Sequence, residues 1–178
     1  MRCDKCTLVF VPPSDYCTRA HELSRYALHN NSLSNKNYVS YIAQLIPLLL
    51  CGSHRKPAVL DFGSGPARVL EYLLRRENVR CTSYDPLYDV NATALSQAYD
   101  IVVMNEVIEH LRKVGDECAR IGECIHPGGR LVVRTRILDN QPDFGSWWYK
   151  NDITHINFFS ISSFSTVESI VGCRVELS

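Results

Sequence analysis

Apolar residues are spaced along this chain in two alternating ways. Short, nearly unbroken apolar runs over 58–62, Val79 to Tyr84, Tyr99 to Asn105 and Arg130 to Ile137 have the length of strands buried in a sheet, and a further short strand is expected near Thr93 to Leu95. Between them, apolar positions recur every three or four residues and predict helices over 67–76 and 116–125. Two helical stretches, roughly Thr18 to His29 and Asn37 to Leu50, come before the first of these strands. A last helix, Ser162 to Val171, and a last strand, Cys173 to Leu177, follow a long aromatic loop, Asp139 to Phe159. Met1 to Pro13 is extended, with Leu8, Val9, Phe10 and Val11 at its end. Strand and helix in alternation predict an α/β domain: a doubly wound, mostly parallel sheet with helices on both faces.

Length and composition narrow this picture. At 178 residues the chain makes one domain with a real core. Lys plus Arg equals Asp plus Glu at 19 each, with the charges scattered, which argues against nucleic acid or an anionic membrane as partner. The longest apolar run, Tyr41 to Cys51, is broken by Gln44 and Pro47 and is too short to span a bilayer. No targeting segment is visible. Of the eight cysteines, Cys17, Cys51, Cys81, Cys118, Cys124 and Cys173 are dispersed singly, the usage of a reduced, cytoplasmic protein with mostly buried thiols.

The chemistry concentrates first in VLDFGSGPA. A buried strand ends in Asp61-Phe62, and Gly63 and Gly65, on either side of Ser64, then let the backbone turn sharply and approach a ligand with no side chain in the way. Asp61 is placed to accept hydrogen bonds from an ammonium group. Twenty residues after Gly65, the next strand ends in Asp85, where a carboxylate would grip two ribose hydroxyls. Two carboxylates so spaced suit a nucleoside carrying an amino acid, as in S-adenosylmethionine. A dinucleotide fits less well, because its fingerprint needs a small residue where this chain has Arg68.

From residue 20 onward the chain resembles the class I S-adenosylmethionine-dependent methyltransferases, on four motifs in order: LDFGSGPA, SYDP, YDIVVMNEVIEHL and HPGGRLVV. The resemblance implies a Rossmann-like methyltransferase fold, S-adenosylmethionine as cofactor held by Asp61, Gly63, Ser64, Gly65 and Asp85 with backbone near Asn105, and transfer to an oxygen or nitrogen of a small or medium acceptor. The flanks RYALHNNS and WWYKNDITHINFFS, with a Cys-rich amino-terminal segment, resemble one bacterial branch of that superfamily. Against that pattern the ribbon is shortened and the last antiparallel strand is absent, which would leave a sheet edge open to pairing in a homodimer. The expected organisation is a partial ribbon over 1–17, a helical lid segment over 18–52 and the core over 53–178. Between Asp85 and Tyr99 the chain is short for this fold, and no acidic partner for the adenine is identifiable there.

In EVIEH, a helix starting at the strand end would put Glu106, Glu109 and His110 on one face, with His155 from the later loop as a fourth ligand for a divalent cation. The arrangement resembles the metal-dependent O-methyltransferases of ubiquinone synthesis and of small-RNA 3'-end modification. Two other readings stand beside it. Asn105 would cap the helix with the glutamates near its positive end and His110 packed beneath the loop, or a histidine would serve as general base, His155 before His110 because it lies on the loop that covers the acceptor. Within that loop Trp147 or Tyr149 is the expected acceptor contact, while Phe158 and Phe159 fill space. Tyr26, His29 and Asn30 belong to a segment expected to fold over the cofactor. Cys3 and Cys6 form a CxxC with the spacing of a zinc knuckle, which Cys17 and His21 would complete; an orphaned half-site or redox work are the alternatives. A non-catalytic module that keeps the cofactor pocket is the rival to an enzyme, and a fragment that folds poorly alone is a third reading. No residue pattern identifies the acceptor.

Overall fold

The computed structural model describes residues 1–51, 55–141 and 143–178, so the 52/53 boundary expected between lid segment and core lies outside the described residues. In chain order the elements are β1 (Val9–Phe10), α1 (Arg19–Ala27), α2 (Lys36–Ala43), α3 (Leu45–Leu50), β2 (Ala58–Phe62), α4 (Val69–Arg76), β3 (Arg80–Tyr84), β4 (Tyr99–Asn105), α5 (Val114–Glu123), β5 (Ile125–Arg134), β6 (Asn157–Phe158), α6 (Ile161–Val171) and β7 (Arg174–Leu177). Five strands form a sheet of order β3-β2-β4-β5-β7, parallel at every pairing. The chain runs from β2 outward to β3, then crosses to the other side of β2 to begin β4. Such a reversal opens a crevice at the carboxyl ends of β2 and β4, where ligands bind in open α/β sheets.

The period-two pattern of the strands settles both layers. Leu60, Phe62, Val102, Met104, Leu131 and Val133 face one side and bury against Ile121, Phe164 and Val167 of α5 and α6. Val59, Ile101, Val103 and Val132 face the other and bury against Ile42, Leu45, Leu49 and Leu74 of α2, α3 and α4. Each such side chain contributes about 1.5–3 kcal/mol by leaving water. Caps place the helices: the Thr18 and Asn35 side chains accept from His21 and Tyr38 N–H, and Ser160 and Ser163 close a capping box on α6, which ends at left-handed Gly172.

Several expectations are corrected. The helix over Asn37 to Leu50 is two helices, because Pro47 lacks the N–H that would continue the ladder across Gln44. The strand near Thr93 to Leu95 is a 3-10 segment, Ala92–Ser96, so β3 is an edge of the sheet. β5 begins at Ile125 rather than at Arg130 and runs through the Pro127-Gly129 stretch with a register shift against β4. Of the six dispersed cysteines only Cys81, Cys118 and Cys124 are buried, and all eight are free thiols. Within the amino-terminal segment, β1 pairs antiparallel with β6, and Val11 N–H donates to Ile156 O at 2.9 Å. No helix among the described residues is long and apolar enough to cross a membrane.

Candidate active site

The turn after β2 is held by β3. Gly63 and Ser64 N–H donate to Tyr84 O at 2.8 and 3.2 Å, and Gly65 N–H donates to Asp85 Oδ2 at 2.8 Å. Gly63 has φ +80°, and a Cβ there would run into the Val107 side chain, so glycine is required on both counts. Gly65, at φ +63°, faces open space. The second Asp85 oxygen accepts Leu87 and Tyr88 N–H at 2.8 and 3.1 Å. Asp85, expected to serve ribose hydroxyls, therefore also staples the glycine turn to the loop after β3.

Below that turn Tyr38, Asp61, Gly63, Ser64 and Asn105 line a cavity of about 20 Å³, enough for one water-sized group. Asp61 is 5% exposed, and burial, followed by the charges of Glu71 and Asp85, raises its carboxyl to about 7. Asn105 Oδ1 is buried with no hydrogen-bond partner. The expected cap on a following helix is not made. A carboxyl group and an orphaned amide oxygen beside one small cavity could hold a cationic donor such as an ammonium group.

Past Asn105, the EVIEH segment does not continue as a helix. Glu106 is left-handed at φ +54°, and only a single 3-10 turn, Ile108–His110, follows. The four expected ligands consequently separate. Glu106 accepts from Tyr41 OH at 2.8 Å and from Tyr149 OH at 3.2 Å and stands outside the cluster. Glu109, fully buried, accepts from Tyr149 OH at 2.6 Å and from Thr135 OH at 3.1 Å. One phenol proton cannot serve two carboxylates; burial, then the charge of Glu106, pushes the Glu109 carboxyl up to about 8, and a proton there resolves the conflict.

The aromatic loop completes the cluster because it docks on the same turn: Ile156 N–H donates to Glu109 O at 2.9 Å and Asn157 Nδ2 to Leu111 O at 2.7 Å. Both histidines are oriented by carbonyls, His110 Nδ1 to Thr154 O at 2.9 Å and His155 Nδ1 to Tyr149 O at 2.7 Å. A carbonyl only accepts, so each Nδ1 carries the hydrogen and each Nε2 keeps a lone pair. Burial lowers both imidazoles, His110 to about 4, so both are neutral near pH 7. Ligand atoms of Glu109, His110 and His155 lie within 4.8 Å of one another. Two neutral imidazoles locked by their second nitrogens, beside the Glu109 carboxyl, would fit a divalent cation once that carboxyl gives up its proton.

His110 and His155 share one cleft of about 820 Å³ with Glu106, the glycine turn, Asp85 and Asn105, while Glu109 is buried behind its wall. Tyr26 of α1 stands edge-on to His110, ring centres 5.5 Å apart, and His29 lines the mouth, whereas Asn30 does not reach the cleft. Of the two residues expected at the acceptor, Trp147 is instead buried with Phe144 and Phe158, whereas Tyr149, though mostly buried, lines the cleft, as does Trp148. Phe158 and Phe159 are buried packing residues, as expected. Among the described residues, Cys3, Cys6, Cys17 and His21 form no cluster of three ligands. Sequence reasoning passed over Tyr38, Tyr41 and Thr135. The signal for the first two was two phenols one helical turn apart on an otherwise apolar segment; Thr135 offered none.

A family profile described as "Methyltransferase domain" matches residues 34–176. Among solved structures, an O-methyltransferase family protein from Burkholderia thailandensis is similar at TM-score 0.54 and 14% identity, over 85% of this chain and 57% of that one. LaPhzM is similar at TM-score 0.52 and 12% identity, over 88% of this chain and 56% of that one. The chain thus spans little more than half the length of these two structures, and at these identities the likeness is one of fold. No curated protein sequence matches it.

Proposed function

The chain belongs to the methyltransferase-domain family, and from that premise we propose that it transfers the methyl group of S-adenosylmethionine to an oxygen or nitrogen of a small or medium acceptor. The observation that carries the reading is the cleft at the carboxyl ends of β2 and β4. There the glycine turn, Asp85, Asn105, His110 and His155 line one space, the small cavity beside Asp61 shares Gly63, Ser64 and Asn105 with it, and Glu109 is buried behind the two histidines' ligand atoms. In this reading Asp61 and Asn105 hold the cofactor's ammonium group, Asp85 and the backbone of Gly63, Ser64 and Gly65 hold its nucleoside, and residues 18–52 act as a lid on the 53–178 core. The eight free thiols suit a reducing cytoplasm, which is part of the proposal.

The reaction is an in-line displacement. A lone pair of the acceptor atom forms a bond to the methyl carbon, the carbon–sulfur pair returns to sulfur, and the positive sulfonium becomes a neutral thioether. The acceptor's proton goes to Nε2 of His155, with His110 behind it; both imidazoles are neutral and oriented to receive it. Tyr149 and Tyr26 narrow the cleft around that nitrogen and exclude water. Where a divalent cation takes those Nε2 lone pairs together with Glu109, the histidines no longer act as bases, and the cation would instead supply Lewis-acid polarisation of an acceptor hydroxyl.

Isothermal titration with S-adenosylhomocysteine, with and without magnesium, manganese or zinc, tests the reading. Micromolar binding is the expected result, and a metal effect lost in Glu109→Gln supports the cation. Absence of binding to a cooperatively folded protein overturns the methyl-transfer reading.

A further inference from the structure

Arg136 and Trp148 line the same cleft and have no part in the roles above. Arg136 lies just past the end of β5 and is exposed. Trp148 opens a 3-10 turn, Trp148–Asn151, and is 65% exposed, while the adjoining Trp147 and Tyr149 are buried. The guanidinium carbon of Arg136 stands 6.0 Å from the centre of the Trp148 ring. Every other guanidinium on the cleft wall has a carboxylate partner: Arg19 and Arg112 reach Glu22 at 3.1 and 3.4 Å, and Arg25 reaches Asp152 at 2.7 Å. Among the described residues, no carboxylate lies within 4.0 Å of Arg136.

An exposed guanidinium 6.0 Å from an indole centre and with no carboxylate partner among the described residues still has its N–H fork to offer, and that fork matches the two oxygens of a carboxylate. The exposed indole beside it offers a flat apolar surface. We infer that Arg136 and Trp148 recognise an acceptor that joins a flat ring to a carboxylate, an aromatic acid. This rests on the reading of the cleft as a methyl-transfer site. The carboxylate takes the N–H fork of Arg136 and the ring lies on the uncovered part of Trp148. At about 820 Å³ the cleft has room for an aromatic acid beside the cofactor.

The test compares acids with their neutral twins: 3,4-dihydroxybenzoate against 3,4-dihydroxybenzamide, and indole-3-carboxylate against indole-3-carboxamide, each titrated into the protein with and without S-adenosylhomocysteine. At least one acid should bind about tenfold or more tightly than its amide. Arg136→Met should erase that preference while leaving S-adenosylhomocysteine affinity within about twofold. Arg136→Lys should keep part of it, since charge remains but the fork is lost, and Trp148→Leu should weaken acid and amide alike. Equal binding of acid and amide, no binding of either acid, or a preference that survives Arg136→Met overturns the inference. An acid preference in a protein that does not bind S-adenosylhomocysteine overturns the methyl-transfer reading and leaves the aromatic-acid site standing.

Discussion

In the proposed cofactor site, Asp61 would couple stability to binding. Its carboxyl is raised from 3.8 to about 7 by burial and by the neighbouring charges of Glu71 and Asp85, so the folded protein holds a proton there that the unfolded chain has already released. Stability from this group is therefore greatest below about pH 4. It falls as pH rises to about 7, by about 4 kcal/mol in all, and is flat above. Asp61→Asn should remove that slope and raise the melting temperature at pH 8, which a pH series of thermal melts would register. An ammonium-bearing ligand favours the ionised carboxylate, so S-adenosylhomocysteine should bind about 20-fold more weakly at pH 5.5 than at pH 7.5. The asparagine variant should bind weakly at both. A binding curve that is flat with pH in the unmodified protein would remove Asp61 from the cofactor site. Its place before the glycine turn was legible in the sequence; its protonation was not, because that depends on three acids brought together from α4, β2 and the end of β3.

Among the elements, α1 is held by charge rather than by packing. No apolar side chain of this helix is buried; its one buried residue is Glu22, which meets Arg19 and Arg112, while Arg25 reaches across to Asp152 on the aromatic loop. Tyr26 is its only ring on the site, edge-on to His110. Partly exposed ion pairs contribute about 0–1 kcal/mol each and weaken in salt, so α1 should open far more readily than the sheet. Amide exchange should be fastest in α1 and slowest in β4. Arg25→Met or 0.5 M salt should speed exchange in α1 severalfold, with a melting temperature changed by no more than about 2 °C. Protection of α1 equal to that of β4 would contradict a lid of this kind. The helical period of this segment was readable from its sequence, as was the strand before EVIEH. The broken helix after that strand was not, because the left-handed turn at Glu106 follows from Glu106 N–H donating to Arg134 O on the adjoining strand at 2.8 Å.

At the scale of the molecule, β2 and β4 carry the site and the core together. Leu60 is fully buried at the centre of one layer, and Leu60→Ala should cost about 3 kcal/mol and lower the melting temperature by about 6–12 °C, with near- and far-ultraviolet dichroism melting together. Separate transitions would mean that the loop cluster of Trp147, Tyr149 and Phe158 unfolds apart from the sheet. The run of apolar strands and periodic helices determined the α/β class, and the acid-glycine turn determined where a ligand would meet the sheet. Both are local: a buried strand needs apolar residues, and a positive φ needs glycine. The tertiary structure alone decided that β1 clasps β6, that Tyr41, Thr135 and Tyr149 close on Glu106 and Glu109, and that Trp148 rather than Trp147 faces the cleft with Arg136. Periodicity tells which side of an element is buried but not what it is buried against. Contacts between residues far apart in the chain follow from how the elements stack.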